Sequence, residues 1–258
     1  MELTNSTIKF IASLGLKKNR EANGCFVAEG TKCVRDTWDH FNCRMIVATR
    51  NWYEQFGHSG HLDKIAFASR QQMQRMSQFS TAAEVIAVYD IPHLTISSDE
   101  VRNSLNIVLD NVQDPGNLGT IIRLADWFGI KNIFCTRDTV DVYNHKVVQA
   151  TMGSIARVKV AYTDLAQYLS ALPSGTPVFA TELNGENIYE RELPQHGIII
   201  MGNEGNGISN EVKALVSDHL LIPTFATTAD KADSLNVAVA TAIVCSEFKR
   251  KSAIGTNK

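Results

Sequence analysis

The stretch DPGNLGTIIRLADWFGI, residues 114–130, decides how the chain is read. A proline–glycine turn opens it. Leu118, Ile121, Ile122 and Ala125 then recur at helical spacing, so a helix over Leu118–Phe128 should bury that stripe. The preceding run NIVLD (Asn106–Asp110) is short and apolar, as a buried strand requires. Arg123 sits at the edge of the stripe. Residue pattern leaves it two readings: an ion pair with Asp126 at i+3 on a solvated face, or a permanent cation beside a ligand-holding loop. Asn117 lies near the helix start, where a side-chain oxygen can cap amides or hold a partner. Gly116 and Gly119 do not make a GxGxxG dinucleotide fingerprint.

The same alternation continues outward. Strand-like runs are NIFC (132–135), RVKVAY (157–162), VFAT (178–181), IIIM (198–201) and LLIP (220–223). Helical stretches fall at Leu118–Phe128, Lys146–Met152, Leu165–Leu172, Glu211–Val216 and Leu235–Lys251. Strands alternating with helices predict an α/β domain with a mostly parallel sheet and helices on both faces. Upstream, CFVAEG, MIVAT and EVIAVYD are strand candidates, and SLGLKKNREANG reads as a polar helix end and turn. IPHLTISSDE has proline and weak periodicity, the mark of a linker near Ile91–Val101.

Bulk properties narrow the class. A chain of 258 residues holds one large or two modest domains. Its 44% hydrophobic and 20% charged residues fit a water-soluble protein. No apolar run approaches the ~20 residues of a membrane helix, and MELTNSTIKF lacks an export pattern. Five scattered cysteines without a CxxC pair speak against disulfides and zinc and fit the cytoplasm. The net charge of −2 excludes a uniformly basic coat. It leaves room for a local basic patch, Lys17, Lys18 and Arg20 being the candidates for phosphate contacts against the alternative of a solvated helix end.

Two further loops follow strand candidates, where α/β sheets bind ligands. In IIIMGNEGNGIS, Gly202, Gly205 and Gly207 surround Glu204, with Ser209 as a helix N-cap. In LLIPTFATTADKADSLNVAVATAI, Ser234 is a plausible N-cap of the last helix and Asn236 falls in its first turn.

In this order the three stretches DNVQDPGNLGTIIRLADWFGI, IIIMGNEGNGIS and LLIP…SLNVAVATAI resemble the motifs of the SpoU (TrmH-type) branch of the SPOUT RNA methyltransferases. GLKKNREANGCFVAEGTKCVRD resembles the small RNA-substrate-binding domain of many members. The resemblance implies an N-terminal α/β substrate-binding domain over residues 1–95, a linker over 96–105, and a SPOUT domain with a deep trefoil knot over 106–258. It implies a homodimer, S-adenosylmethionine as cofactor, no metal, and methyl transfer to a ribose 2′-hydroxyl of RNA, ribosomal RNA before transfer RNA. A non-catalytic RNA-binding module of the same fold is the alternative.

The resemblance assigns catalysis to Arg123, Asn117, Glu204, Ser234 and Asn236, and cofactor contacts to Thr181, Leu183, Gly202, Ile222 and Leu235. Arginine stays protonated, so Arg123 is expected to orient the hydroxyl and stabilise developing oxyanion charge, the alternative being a base with a lowered pKa. Asn203, the long loop Thr224–Asp233 and the Asn144-His145 turn depart from the family pattern.

Overall fold

A computed structural model describes residues 3–57, 64–228 and 232–255, with side chains through Arg250. The chain divides into two units, Met1–His93 with Asp141–Ala156, and Leu94–Val140 with Arg157–Lys258.

In the first unit, β1 (Cys25–Glu29), β2 (Cys43–Ala48), β3 (Ile65–Phe67) and β4 (Val85–Asp90) form a sheet in the order β1-β4-β2-β3. β4 pairs antiparallel with both β1 and β2, while β3 joins β2 in parallel. The expected strand runs are present. Ile65–Phe67 is an additional strand, too short at three residues for its alternation to be read. One core layer combines Ile8, Ile11 and Leu14 of the N-terminal helix region with Val27, Val47, Val88, Met73 and Met76. Another is aromatic: Phe26 packs on Phe41 edge-on at 5.2 Å and on Tyr143 at 4.6 Å.

Tyr143 belongs to an excursion. Residues 141–156 lie inside the stretch 106–258 expected as one domain, yet they fold with the first unit. The helix His145–Thr151 packs against β1 there. Helical periodicity marked this helix correctly, but its partner sheet is not the one that flanks it in sequence.

The second unit contains a six-stranded sheet. Its strands are β5 (Leu105–Leu109), β6 (Asn132–Cys135), β7 (Lys159–Tyr162), β8 (Val178–Asn187), β9 (Gly197–Met201) and β10 (Asp218–Leu221), in the order β10-β8-β9-β5-β6-β7. Every pairing is parallel. The inner strands β5 and β9 are buried throughout, which explains their unbroken apolar runs. The region expected as a linker contains a helix, Ser98–Arg102, closed by a capping box between Ser97 and Glu100.

Two helices frame the carboxyl edge of this sheet. We call Pro115–Trp127 α7 and Val237–Gly255 α11, counting helices in chain order. α7 buries Leu118, Gly119, Ile121, Ile122 and Ala125, the stripe read from sequence with one glycine added. α11 packs against α7. The sheet order runs outward from β5 in one direction through β6 and in the other through β9. The crevice between the loops after β5 and β9 is therefore the switch point where such sheets hold ligands.

Candidate active site

Two hydrogen bonds tie those loops together. Asp110, buried at the end of β5, accepts from the Ser209 amide at 2.8 Å. Asn203 donates its Nδ2 to the carbonyl of Asn111, also at 2.8 Å. The Oδ1 of Asn203 accepts from the amides of Gly205 and Asn206 at 2.9 and 3.0 Å. Its backbone exchanges two bonds of 2.9 Å with Gly207, whose φ of +68° suits glycine. Asn203, noted in sequence only as a departure, is thus the residue that folds the glycine loop. The local signal for it is an Asx turn, an asparagine accepting from the amides two and three residues on.

This scaffold presents Glu204 to α7. Asp114 caps α7 by accepting from the Asn117 amide at 2.8 Å, which orients Asn117 in the first turn. The Nδ2 of Asn117 donates to Glu204 Oε1. Its Oδ1 accepts from Asn236 Nδ2 at 2.9 Å. Asn236 is itself a helix cap. Its Oδ1 accepts from the amides of Ala238 and Val239 at 3.0 and 3.3 Å, so its amide group has only the outward direction left. Three expected catalytic positions from three distant segments therefore form one chain, Asn236–Asn117–Glu204. The N-cap expected at Ser234 is held by Asn236 instead, because α11 starts at Val237. Ser209 flanks the helix Asn210–Lys213 but contributes no side-chain cap; its amide is committed to Asp110.

Beside Glu204 opens a cavity of about 500 Å³. Thr181, Leu183, Gly202, Ile222 and Leu235, the five positions expected at the cofactor, all line it, as do Glu204 and Ser234. Met201, Ile208, Leu221, Val237 and Ala240 supply apolar walls. Gly202 is constrained by space: a Cβ there would stand 2.4 Å from the Gly207 carbonyl carbon. The size, the apolar walls and the few convergent polar groups suit a nucleoside-sized ligand.

Arg123 does not join the cluster. It lies six residues beyond Asn117 on α7, about 240° around the axis and ~9 Å along it. Its neighbours on that exposed face are Gly116, Thr120 and Trp127. Nor does it pair with Asp126, the alternative read from sequence. Arg157 holds Asp126 through bonds of 2.7–3.1 Å, and the Arg123 side chain makes no hydrogen bond or ion pair among the described residues.

Of the three expected phosphate contacts, Lys17 and Lys18 are exposed, Lys17 with Glu21 3.8 Å away. Arg20 requires a correction. It is 2% exposed. Its Nε and Nη2 bond to Asp141 at 3.1 and 2.5 Å, and its Nη1 to the carbonyls of Leu14 and Gly15 at 2.9 and 3.0 Å. A guanidinium with its donors so engaged is a structural clamp, withdrawn from RNA. Sequence could not show this, because Asp141 is 121 positions away.

No group of three or more histidine, cysteine or acidic residues among the described residues is placed to hold a metal. Nor is any described helix long and apolar enough to cross a membrane. The cysteines are buried, and desolvation raises the Cys33 and Cys245 thiols to about 12, away from nucleophilic use.

Known proteins resemble this chain in sequence and fold. A family model described as the SpoU rRNA Methylase family matches residues 104–246, and one described as the MRM3-like substrate binding domain matches residues 5–87. The 23S rRNA (guanosine(2553)-2′-O)-methyltransferase RlmP of Bacillus subtilis is 32% identical over 179 residues, 68% of each chain. Among solved structures, a TrmH-family protein from Porphyromonas gingivalis shares 37% identity with a TM-score of 0.88, over 96% of this chain and 99% of that one. An AdoMet-bound rRNA methyltransferase from Sinorhizobium meliloti shares 29% identity with a TM-score of 0.83, over 97% and 98%. The motifs, the parallel sheet and these likenesses agree, and the chain belongs to the SpoU rRNA methylase family.

Proposed function

We propose that this protein transfers a methyl group from S-adenosylmethionine to a ribose 2′-hydroxyl of ribosomal RNA. The observation that carries the reading is the Asn236–Asn117–Glu204 chain at the rim of a cavity lined by all five expected cofactor residues. The residues fit the cofactor: the cavity has apolar walls for an adenine, and a glycine stands where a side chain would collide. When bound, S-adenosylmethionine supplies an electrophilic methyl on a sulfonium.

The chain's own residues would do the rest. Leu183, Ile222 and Leu235 enclose the base. The backbone at Thr181 and Gly202 offers hydrogen-bond partners without bulk. Glu204, held by Asn117, faces the cavity with a carboxylate, and Asn236 fixes Asn117 in the orientation that donates to it. Ser234, on the cavity wall, serves the substrate side. Arg123 orients the 2′-hydroxyl and stabilises the oxyanion charge that develops as its proton leaves.

Arg123 and Trp127 share the outward face of α7, and Trp127 is 84% exposed. Val239 of α11 is 50% exposed. A second copy of the chain covering these faces would bury the apolar surface and bring Arg123 into a site. We therefore read the active species as a homodimer in the cytoplasm, its methylase domain threaded as a trefoil knot. Residues 5–87, with Lys17 and Lys18, would engage the RNA. The similarity to 23S rRNA 2′-O-methyltransferases supports ribosomal RNA over transfer RNA, and the Asn236–Asn117–Glu204 chain favours an enzyme over a silent binding module.

The test is transfer of labelled methyl from S-adenosylmethionine to ribosomal RNA, followed by mapping of 2′-O-methyl positions. A single labelled ribose is the expected result. Cofactor binding with no transfer to ribosomal or transfer RNA would leave only the non-catalytic module.

A further inference from the structure

Asn203, which folds the loop carrying Glu204, is anchored on the carbonyl of Asn111 at 2.8 Å. The direction of that carbonyl depends on an uncommon backbone. Asn111 has a φ of +59°, a left-handed conformation that an L residue adopts only at a cost. β5 ends at Leu109, and the amide of Asn111 takes a side chain as its partner: it donates to Thr136 Oγ1 at 2.8 Å. Thr136 stands just after β6, and its own amide donates to the Leu109 carbonyl at 3.1 Å. Its hydroxyl lies 3.1 Å from Thr139 Oγ1, and Thr139, 2% exposed, reaches the same Leu109 carbonyl at 3.4 Å.

The proton directions close into one relay. Asn111 N–H points to Thr136, the Thr136 hydroxyl to Thr139, and the Thr139 hydroxyl to Leu109. The relay starts and ends on either side of Asp110, so it clasps the turn in which Asn111 is left-handed. Rotating Asn111 back to an extended conformation would swing its carbonyl away from Asn203 and release the glycine loop. Neither threonine is among the described residues that line the cavity, so any effect on the reaction passes through the loop. We propose that Thr136 is a positioning residue for methyl transfer. Its hydroxyl holds the Asn111 peptide in the orientation that anchors Asn203, and through Asn203 it keeps Glu204 within reach of Asn117. The proposal rests on the methyl-transfer reading above.

Thr136→Val keeps the shape and removes the hydroxyl, whereas Thr136→Ser keeps the hydroxyl. Methyl transfer to ribosomal RNA by the full chain is measured per cofactor site, the sites being counted by titration with S-adenosylhomocysteine. Thr136→Val should lower kcat about tenfold or more. It should also weaken S-adenosylhomocysteine, because Asn203, Glu204 and Gly205 line the cavity. KM for RNA should stay as in wild type, and Thr136→Ser should restore kcat and affinity. Asn203→Asp breaks the same link from the other end: it keeps the oxygen that holds Gly205 and Asn206 and loses the donor to Asn111. It should reproduce the loss, and adding Thr136→Val to it should cause no further fall. Unchanged kcat per site in Thr136→Val overturns the proposal and leaves the methyl-transfer reading standing, as does a serine variant as impaired as the valine. A full additional loss in the double variant overturns the route through Asn203. If Thr136→Val does not fold, Asn203→Asp carries the test, and its normal turnover overturns the proposal equally. A wild type that neither binds nor transfers removes the methyl-transfer reading, and this proposal with it.

Discussion

Asn236 and Asn117, 119 positions apart, share a hydrogen bond of 2.9 Å, and the donor is free to make it because its own oxygen caps α11. Helix termination and site assembly are thus one event. Asn236→Ala should cost about 1 kcal/mol through the lost cap and lower turnover further by releasing Asn117. Asn236→Ser, which can cap but cannot reach, should recover stability and not turnover. A double-mutant cycle with Asn117→Ala, read by chemical denaturation, should give a coupling of about 0.5–3 kcal/mol. Strict additivity would contradict the linkage.

The Arg123 side chain makes no pair among the described residues, so its removal should leave the fold intact. Arg123→Ala is expected to keep cofactor affinity and melting temperature while lowering methyl transfer by about 10²-fold or more. Arg123→Lys should rescue little, since a point charge cannot reproduce the planar fork. Near-normal transfer by Arg123→Ala would remove it from the mechanism.

Arg20 and the lysines beside it should behave oppositely. Arg20→Met breaks a buried ion pair and strands Asp141, which typically costs about 3–5 kcal/mol. RNA affinity per folded molecule should not change. Lys17→Ala with Lys18→Ala should leave stability alone and reduce the salt dependence of RNA binding. An Arg20 variant that is stable but fails to bind RNA would reverse this assignment.

Gly202 sits where the chain turns into the glycine loop. The added methyl of Gly202→Ala would meet the Gly207 carbonyl carbon at 2.4 Å and the Ile208 nitrogen at 2.6 Å. Backbone atoms cannot swing aside, so a destabilisation of about 1–3 kcal/mol is expected. Cofactor affinity, measured by titration, should fall at temperatures where the variant remains folded.

Burial, then the charges of Lys146 and Arg20, hold the His145 imidazole below its ordinary pKa. The folded state thus favours the neutral ring. Its contribution to stability is present above the unfolded imidazole value of about 6.5. It is lost as pH falls through the lower folded value, because the unfolded chain binds the proton first. Denaturation of wild type and His145→Gln between pH 8 and pH 5 should show the wild type losing stability more steeply. Parallel curves would show that His145 does not set this slope.

Much of this was legible in the sequence. Unbroken apolar runs such as IIIM located the inner strands, and the spacing of Leu118, Ile121, Ile122 and Ala125 identified the buried face of α7. These features follow from local periodicity, which survives without knowledge of neighbours. All five residues assigned to the cofactor through family resemblance line one cavity.

Other features arose only from partners brought close by folding. A lysine-rich run could not reveal that Arg20 is clamped by Asp141, nor could a correct helix at His145–Thr151 announce that it packs with the first unit. Sequence offered Ser234 as the cap and put Asn236 in the first turn; the start of the helix at Val237 made Asn236 the cap. Sequence determined which segments form strands and helices, because each residue's preference and period are written locally. Tertiary structure alone decided which charges are spent on the fold and which face the cavity, because burial and pairing depend on residues more than a hundred positions apart.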